Sequence, residues 1–281
     1  MLNERDYYYL DSIKLWEKEL QNDLQTDIEK NTEKWLNKLI KEIPPHLKPS
    51  FFTNLDDGFF HLHSYIQNSK FQLEAKEQLL LKARVFNGSI QELADLKQLP
   101  IDQLHYIAAS SIAKHRLYSF IQGGMTGSGG MLLWGIDLPL LVSIQLKSVQ
   151  LTAMSYGYNV NVPREMMVSL QVFHAALLPK KFQYERWKKL VDDMEKEEEL
   201  PFFCNETEVL TDDRIFHVFL SQTVKLVFLS LLKKKLIQGI PLLGILTGAG
   251  INYRQTKRIT EFAEKYYQFR LLTEKGDLTA L

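Results

Sequence analysis

The stretch DLPLLVSIQLKSVQLTAMSYGYNVNVP, residues 137–163, carries two helix starts and one helix stop. In both Asp137-Leu138-Pro139 and Asn161-Val162-Pro163 an Asx residue stands two positions before a proline, and an apolar run follows. Asp and Asn side chains accept backbone N–H groups at a helix N-cap, and a first-turn proline lacks only a donor that has no intrahelical acceptor. Gly157 supplies the stop between them. The pattern predicts helices over 138–156 and 163–178, the second ended by Pro179. Nowhere does an alternating run bounded by turn signals reach the length of a sheet strand. The chain reads as all-α.

Outward from this stretch the same periodicity continues. Leu20, Leu24 and Ile28, then Trp35, Leu36, Leu39, Ile40 and Ile43, form a stripe that Pro44-Pro45 stops, giving an amphipathic N-terminal helix over 1–43. Helices are expected at 48–68, 70–87 and 101–121. Ser89-x-x-Glu92 has the form of a capping box, with Gly88 ending the helix before it. The charged segment 181–199 leads to a surface loop over 200–211. A helix from 212 runs into Lys233-Lys234-Lys235, and a last one runs from Pro241 to about 272, with Ile259, Phe262, Ala263, Tyr266 and Phe269 on its apolar face. The organisation is one helical domain over 1–281.

Composition bounds the function. Of 281 residues, 45% are hydrophobic and 24% charged, which is globular and excludes a disordered or collagenous chain. Lys+Arg and Asp+Glu are 34 each, so no global field draws in nucleic acid. A single cysteine, Cys204, excludes an intramolecular disulfide framework, and the N-terminus lacks the basic-then-apolar order of a signal peptide, so an intracellular location is expected. Charge is unevenly spread. Residues 117–163 contain two charged side chains, Asp137 and Lys147, and Leu236–Tyr253 is an uncharged run of 18. Eleven of the 14 glycines fall between 123 and 250, so two Gly-rich apolar segments are set into a charged helical body.

No motif discloses a reaction. The run Gly123–Gly130 has the glycines of a phosphate loop but Met131 and Leu132 where the lysine and hydroxyl belong. His61-x-His63 point apart on a helix, and Asp102-x-x-His105 has no second copy to complete a two-metal site. Acidic neighbours, Glu197–Glu199 and Glu206, raise the pKa of a Cys204 thiol and argue against a nucleophile there. Asp137 is explained by capping. We expect no catalytic residue, no cofactor and no metal.

Gly124-Met-Thr-Gly127-Ser-Gly-Gly130, then Asp137-Leu-Pro139-Leu-Leu, then Tyr156-Gly157-Tyr158-Asn159, taken in this order, resemble the EcsC protein family. Ile240-Pro241, Gly244, Gly248-Ala249, Asn252-Tyr253, Thr256, Ala263-x-x-Tyr266 and Arg270 resemble its C-terminal signature, and Asn159 stands where the family carries an acid. The resemblance implies a bacterial, largely helical protein whose founding member is named for an operon encoding an ABC transporter linked to secretion. It implies no reaction and no catalytic residue.

Two functions are expected from different classes. The first is a non-enzymatic protein, peripheral to the cytoplasmic face of the cell membrane, with a membrane transporter as partner. In it Leu242, Leu243, Ile245 and Leu246 meet lipid, while Lys233, Lys234 and Lys235 before the apolar run and Arg254, Lys257 and Arg258 after it meet anionic headgroups. Basic residues at both ends suit a shallow placement better than a spanning one, and six of them contribute up to roughly 6 kcal/mol before screening. Gly244-x-x-x-Gly248, echoed by Gly123-x-x-x-Gly127, would let the two segments pack closely. The alternative is a soluble helical carrier or enzyme with an apolar pocket for a lipid-like ligand, contacted by Thr126, Asp137 and Asn252. The plainest reading makes both apolar segments ordinary buried core.

Overall fold

The computed structural model describes residues 2–22, 70–126, 134–178, 180–195 and 244–276. They form α1 (Glu4–Asn22), α2 (Lys70–Arg84), a 3-10 turn (Ala94–Gln98), α3 (Ile101–Thr126), α4 (Trp134–Ser155), α5 (Pro163–Leu177), α6 (Lys180–Glu195) and α7 (Gly244–Gly276). No strand occurs among the described residues, and the fold is all-α. The expected elements at 23–43, 48–68, 200–211 and from 212 to 235 lie outside the described residues, as do His61, His63 and Cys204.

Helix ends depart from the sequence reading in four places. α4 begins at Trp134, so Asp137 is not its N-cap but lies within its first turn, and Pro139 sits deep enough to remove the bond to the Gly135 carbonyl. Once nucleated, a helix extends at little cost, and Trp134 and Ile136 continue the apolar pattern upstream of the proline. At α5 the cap is Val162, with Pro163 at the first helical position as expected, while Asn159 Oδ1 accepts the Asn161 N–H at 3.1 Å in a local turn. Ser89-x-x-Glu92 forms no capping box. Asp95 instead accepts the Gln91 and Glu92 N–H groups at 2.9 and 2.8 Å, and these bonds hold its pKa below the ordinary value. α2 ends at Arg84 rather than at Gly88, because the Ala83 carbonyl turns the chain by accepting from both Phe86 and Asn87.

One device at an end escaped the sequence reading. Asn3 Oδ1 accepts from Asp6 N and Asp6 Oδ2 from Asn3 N, both at 3.0 Å, a reciprocal cap that fixes the start of α1.

The centre is a three-helix unit in which α3 runs antiparallel to α4 and α7. His105 meets Glu264 near one end and Phe120 meets Tyr253 near the other, while Gln145 meets Thr256 and Tyr156 meets Gln268 along the parallel pair. α4 is enclosed on almost every side from Leu141 to Ser155. Val142, Leu146, Val149 and Ala153 are fully enclosed, and so are Gln145, Ser148, Thr152 and Ser155. Its hydroxyls are satisfied within the helix, Ser148, Thr152 and Ser155 donating to carbonyls four residues back at 2.6–2.8 Å. The sparsely charged central segment is therefore core over 141–155, with its polar side chains enclosed beside the apolar ones. Trp187 of α6 is a second focus, packed edge-on against Trp16, Phe262, Tyr266 and Phe269 with centroids 4.9–6.4 Å away. Through these rings α1 and α6 cover α7. Among the described residues no helix is long and apolar enough to cross a membrane.

Candidate functional site

The molecule offers two contrasting ends. At one, the turn 156–159 joins α4 to α5 and docks on the last turns of α7. Gly157 takes φ +89, with its N–H bonded to the Met154 carbonyl and the Tyr158 N–H reaching back to Ala153, at 3.0 and 3.1 Å. This pair of bonds is a Schellman ending, which needs a left-handed residue where Gly157 stands. The turn throws Tyr156 and Tyr158 inward, and both are buried.

Around Tyr158 the charges form a closed set. Arg270 makes a two-pronged pair with Glu165, both contacts 2.7 Å, and its guanidinium lies 4.1 Å from the centre of the Tyr158 ring. Lys97 lies 4.1 Å from the same centre and bonds Glu274 at 2.6 Å, and Glu274 also accepts the Tyr158 hydroxyl at 3.1 Å. Burial opposes the Arg270 charge, but the Glu165 bonds outweigh it and raise the pKa further above its ordinary value. Burial also raises the Tyr158 and Tyr156 hydroxyls well above theirs. The arrangement locks α4, α5, the 3-10 turn and α7 together.

Next to it His105 Nδ1 lies 2.5 Å from Glu264 Oε1, and the bond raises the His105 pKa. Asp102 pairs with Arg5 at 2.8 Å, so the Asp-x-x-His spacing does not bring those two side chains into one site. Among the described residues no group of three or more metal-ligating acids, histidines or cysteines converges.

The other histidines behave oppositely. Burial lowers His115 to about 4, helped by the charges of Lys147 and Lys114, and lowers His174 to about 4, helped by Arg186. Each is neutral when folded and near 6.5 when unfolded. The unfolded chain therefore binds more protons between about 4 and 6.5, and stability present above 6.5 is lost as pH falls through that window. His105 has the reverse sign, its contribution being present below 6.5 and lost as pH rises through its raised value. We expect urea unfolding to show the protein less stable at pH 5 than at pH 7 by about 2 kcal/mol per buried histidine. His115→Phe should remove its share of that loss, since His115 already packs edge-on against Phe71 and Tyr118. Equal acid sensitivity in the variant would show that His115 is not the cause.

At the far end, α3 and α7 present apolar side chains to water. Leu117 and Tyr118 are 54% and 53% exposed, Ile121 47% and Phe120 42%. Tyr253 of α7 is exposed with its ring edge-on to Phe120 at 6.4 Å, and Leu140 of α4 is exposed as well. Arg254 and Lys257 are exposed on the same turns of α7, Lys257 3.5 Å from Glu261. Arg258 is half-buried, its Nε enclosed without a hydrogen-bond partner, and burial lowers its pKa. Leu242, Leu243, Lys233, Lys234, Lys235, Gly127 and Gly130 lie outside the described residues. Ile245 and Leu246 fall within α7 and Gly124 within α3. Asn252 is half-buried, and buried Thr256 accepts from Gln145 Nε2 at 3.4 Å.

The sequence motifs thus divide between the two ends, with the Tyr-Gly-Tyr turn and Arg270 at the lock and Asn252, Tyr253 and Thr256 toward the other end of α7. The sequence model of the EcsC protein family matches residues 9–272, which spans both. The chain belongs to the EcsC protein family. It is 24% identical over 274 residues to "Uncharacterized protein YdbA" of Bacillus subtilis (strain 168), covering 95% of this chain and 92% of that one. It is 25% identical over 184 residues to "Protein EcsC" of the same organism, covering 64% of this chain and 69% of that one. No solved structure matches. Within this EcsC-family chain, the partner of Arg270 is Glu165, 105 positions away. No local pattern marks Glu165, Glu274 or Lys97 as its companions, and sequence reasoning missed all three.

Proposed function

We propose that the protein works at the surface of a membrane, lying against the cytoplasmic leaflet with the 117–121 end of α3 and the first turns of α7. The observation that carries this reading is the exposure of Leu117, Phe120 and Ile121 at the end of α3, with the exposed Tyr253 ring of α7 edge-on to Phe120 and Arg254 and Lys257 exposed on the same turns of α7. Aromatic and aliphatic side chains rimmed by cations suit a shallow interfacial contact, and the cytoplasmic leaflet is the anionic one. A large exposed apolar patch on a folded chain commonly marks such a surface. The family resemblance adds a membrane transporter as the partner at that surface.

Vesicle flotation of the purified full chain tests the reading. Binding should require anionic lipid, fall with salt, and drop when Lys233, Lys234 and Lys235 become Gln. Each half-exposed aromatic contributes on the order of 1 kcal/mol, so Phe120→Ser with Tyr253→Ser should weaken partitioning by about tenfold or more. If the wild-type chain stays unbound with anionic vesicles at low salt, the membrane reading fails.

A further inference from the structure

Lys82 of α2 and Ser110 and Ser111 of α3 form a cluster that neither the lock nor the exposed apolar end uses. Lys82 Nζ lies 2.7 Å from Ser111 Oγ and 2.9 Å from Ser110 Oγ, and no carboxylate pairs with it among the described residues. The two hydroxyls are not equivalent. Ser110 donates to the Ile107 carbonyl at 3.0 Å, so its oxygen is left to hold the amine in place. Among the described residues the Ser111 oxygen has Lys82 as its one partner, accepting from the ammonium, and once that amine is neutral it is the group placed to take the Ser111 proton.

We propose that Ser111 is a nucleophile activated by Lys82, and that the pair cleaves carboxylic esters with apolar acyl groups. A Ser–Lys pair is a known variant of the nucleophile–base arrangement and needs no third member. Lys114 follows Ser111 by three residues on α3, giving the order Ser111-x-x-Lys114, and so stands on the same side of the helix. Phe86 and Tyr106, edge-on at 6.1 Å and both exposed, lie one helical turn from Ser110 and offer an apolar rest for the acyl chain. Burial, together with the Lys114 charge, lowers the Lys82 pKa, so more of the amine is free to act as a base.

The step balances with ester and water alone. Lys82 Nζ takes the Ser111 hydroxyl proton as Oγ bonds the ester carbonyl carbon, and the oxyanion forms beside the Lys114 ammonium. The carbon–oxygen bond to the leaving alcohol breaks, and that oxygen takes the proton from Lys82. Water then attacks the acyl-serine with Lys82 again as base, releasing the acid and restoring Ser111. Ser110 is a positioning residue for the amine. This proposal is independent of the membrane reading, because a water-soluble ester tests it without lipid.

The full chain should be treated with an alkyl fluorophosphonate, whose phosphorus is attacked by an activated serine with loss of fluoride, and the modified peptide located by mass spectrometry. Labelling is expected at Ser111, rising with pH through a midpoint below that of a free lysine. Lys82→Met should slow it at least a hundredfold, and Ser110→Ala about tenfold, both with unchanged circular dichroism. p-Nitrophenyl butyrate should then show a burst of one p-nitrophenolate per chain that Ser111→Ala abolishes. If Lys82→Met is misfolded, Lys82→Arg serves instead, since it keeps the charge and donors but cannot accept the proton. Absence of label at Ser111, transfer of the label to Ser110 in the wild-type chain, or a rate indifferent to both Lys82 variants would overturn the proposal.

Discussion

Gly157→Ala is expected to lower the stability of the protein by about 2–4 kcal/mol, more than the same replacement at Gly88 or Gly250. Two independent costs add. The position has φ +89, where an L side chain is strained by about 1–2 kcal/mol. A Cβ there would also stand 2.8 Å from Lys97 Cγ and 3.0 Å from the Leu93 carbonyl oxygen. The lysine stem can move, but the carbonyl belongs to the chain entering the 3-10 turn and cannot retreat without shifting Leu93 and Leu96 in the core. Urea unfolding at pH 7 measures the effect. Gly250→Ala is the matched control, since no atom lies within 4 Å of its added Cβ and it sits in α7 at ordinary φ, so it should be neutral or stabilising by up to about 1 kcal/mol. Equal effects at the two positions would show that the turn tolerates a side chain and that the Schellman geometry is not what Gly157 provides.

Arg270→Met should cost about 3–5 kcal/mol, because it leaves the Glu165 carboxylate enclosed with its bidentate partner gone. Both side chains are only 13% exposed, so water cannot take over the lost bonds without opening the contact between α5 and α7. The same argument predicts a recovery. Arg270→Met combined with Glu165→Met removes both charges, and the pair should regain most of the loss, to within about 1–2 kcal/mol of the wild type. The exposed pair Arg5–Asp102, 63% and 39% exposed, gives the contrast, and its removal should change stability by well under 1 kcal/mol. A double-mutant cycle in urea reads all of these. If Arg270→Met alone lies within 1 kcal/mol of the wild type, the lock is not an energetic element.

These expectations matter for function because the lock holds α5 and the 3-10 turn against the end of α7, the helix whose other end carries Tyr253, Arg254 and Lys257. From Thr256 to Arg270 is about 21 Å along α7 at 1.5 Å per residue. A local failure at the turn therefore has a direct mechanical path to the apolar end. Activity or binding assays on Gly157 and Arg270 variants must accordingly be read beside their stability.

Sequence alone determined the class of this protein and much of its segmentation. Apolar spacing in Ile259, Phe262, Ala263 and Tyr266 marked α7, Pro163 marked the start of α5, and Gly157 marked the end of α4. Each of these signals is local, acting through backbone dihedrals or through the 3.6-residue period. The start of α4 was misplaced because Asp137 and Pro139 have a local preference for an N-terminus, whereas the helix begins three residues earlier, at Trp134. The ends of α2 and of Ser89–Glu92 were misplaced for a related reason, since Ala83 and Asp95 offered acceptors that the expected caps did not outcompete.

What only tertiary structure decided is which charges meet. Arg270 and Glu165, Lys97 and Glu274, and His105 and Glu264 are separated by 105, 177 and 159 positions, and Lys82 reaches Ser111 across 29. Nothing in a helix period specifies such pairs. They arise because α3 runs antiparallel to α4 and α7, and because a left-handed glycine turns α5 back beside them. The same packing decided that 141–155 of α4 is core, whereas Leu117, Phe120, Ile121 and Tyr253, no less apolar, face outward. Hydrophobicity states only that a side chain favours leaving water, and the number of neighbouring helices decides whether protein is there to receive it.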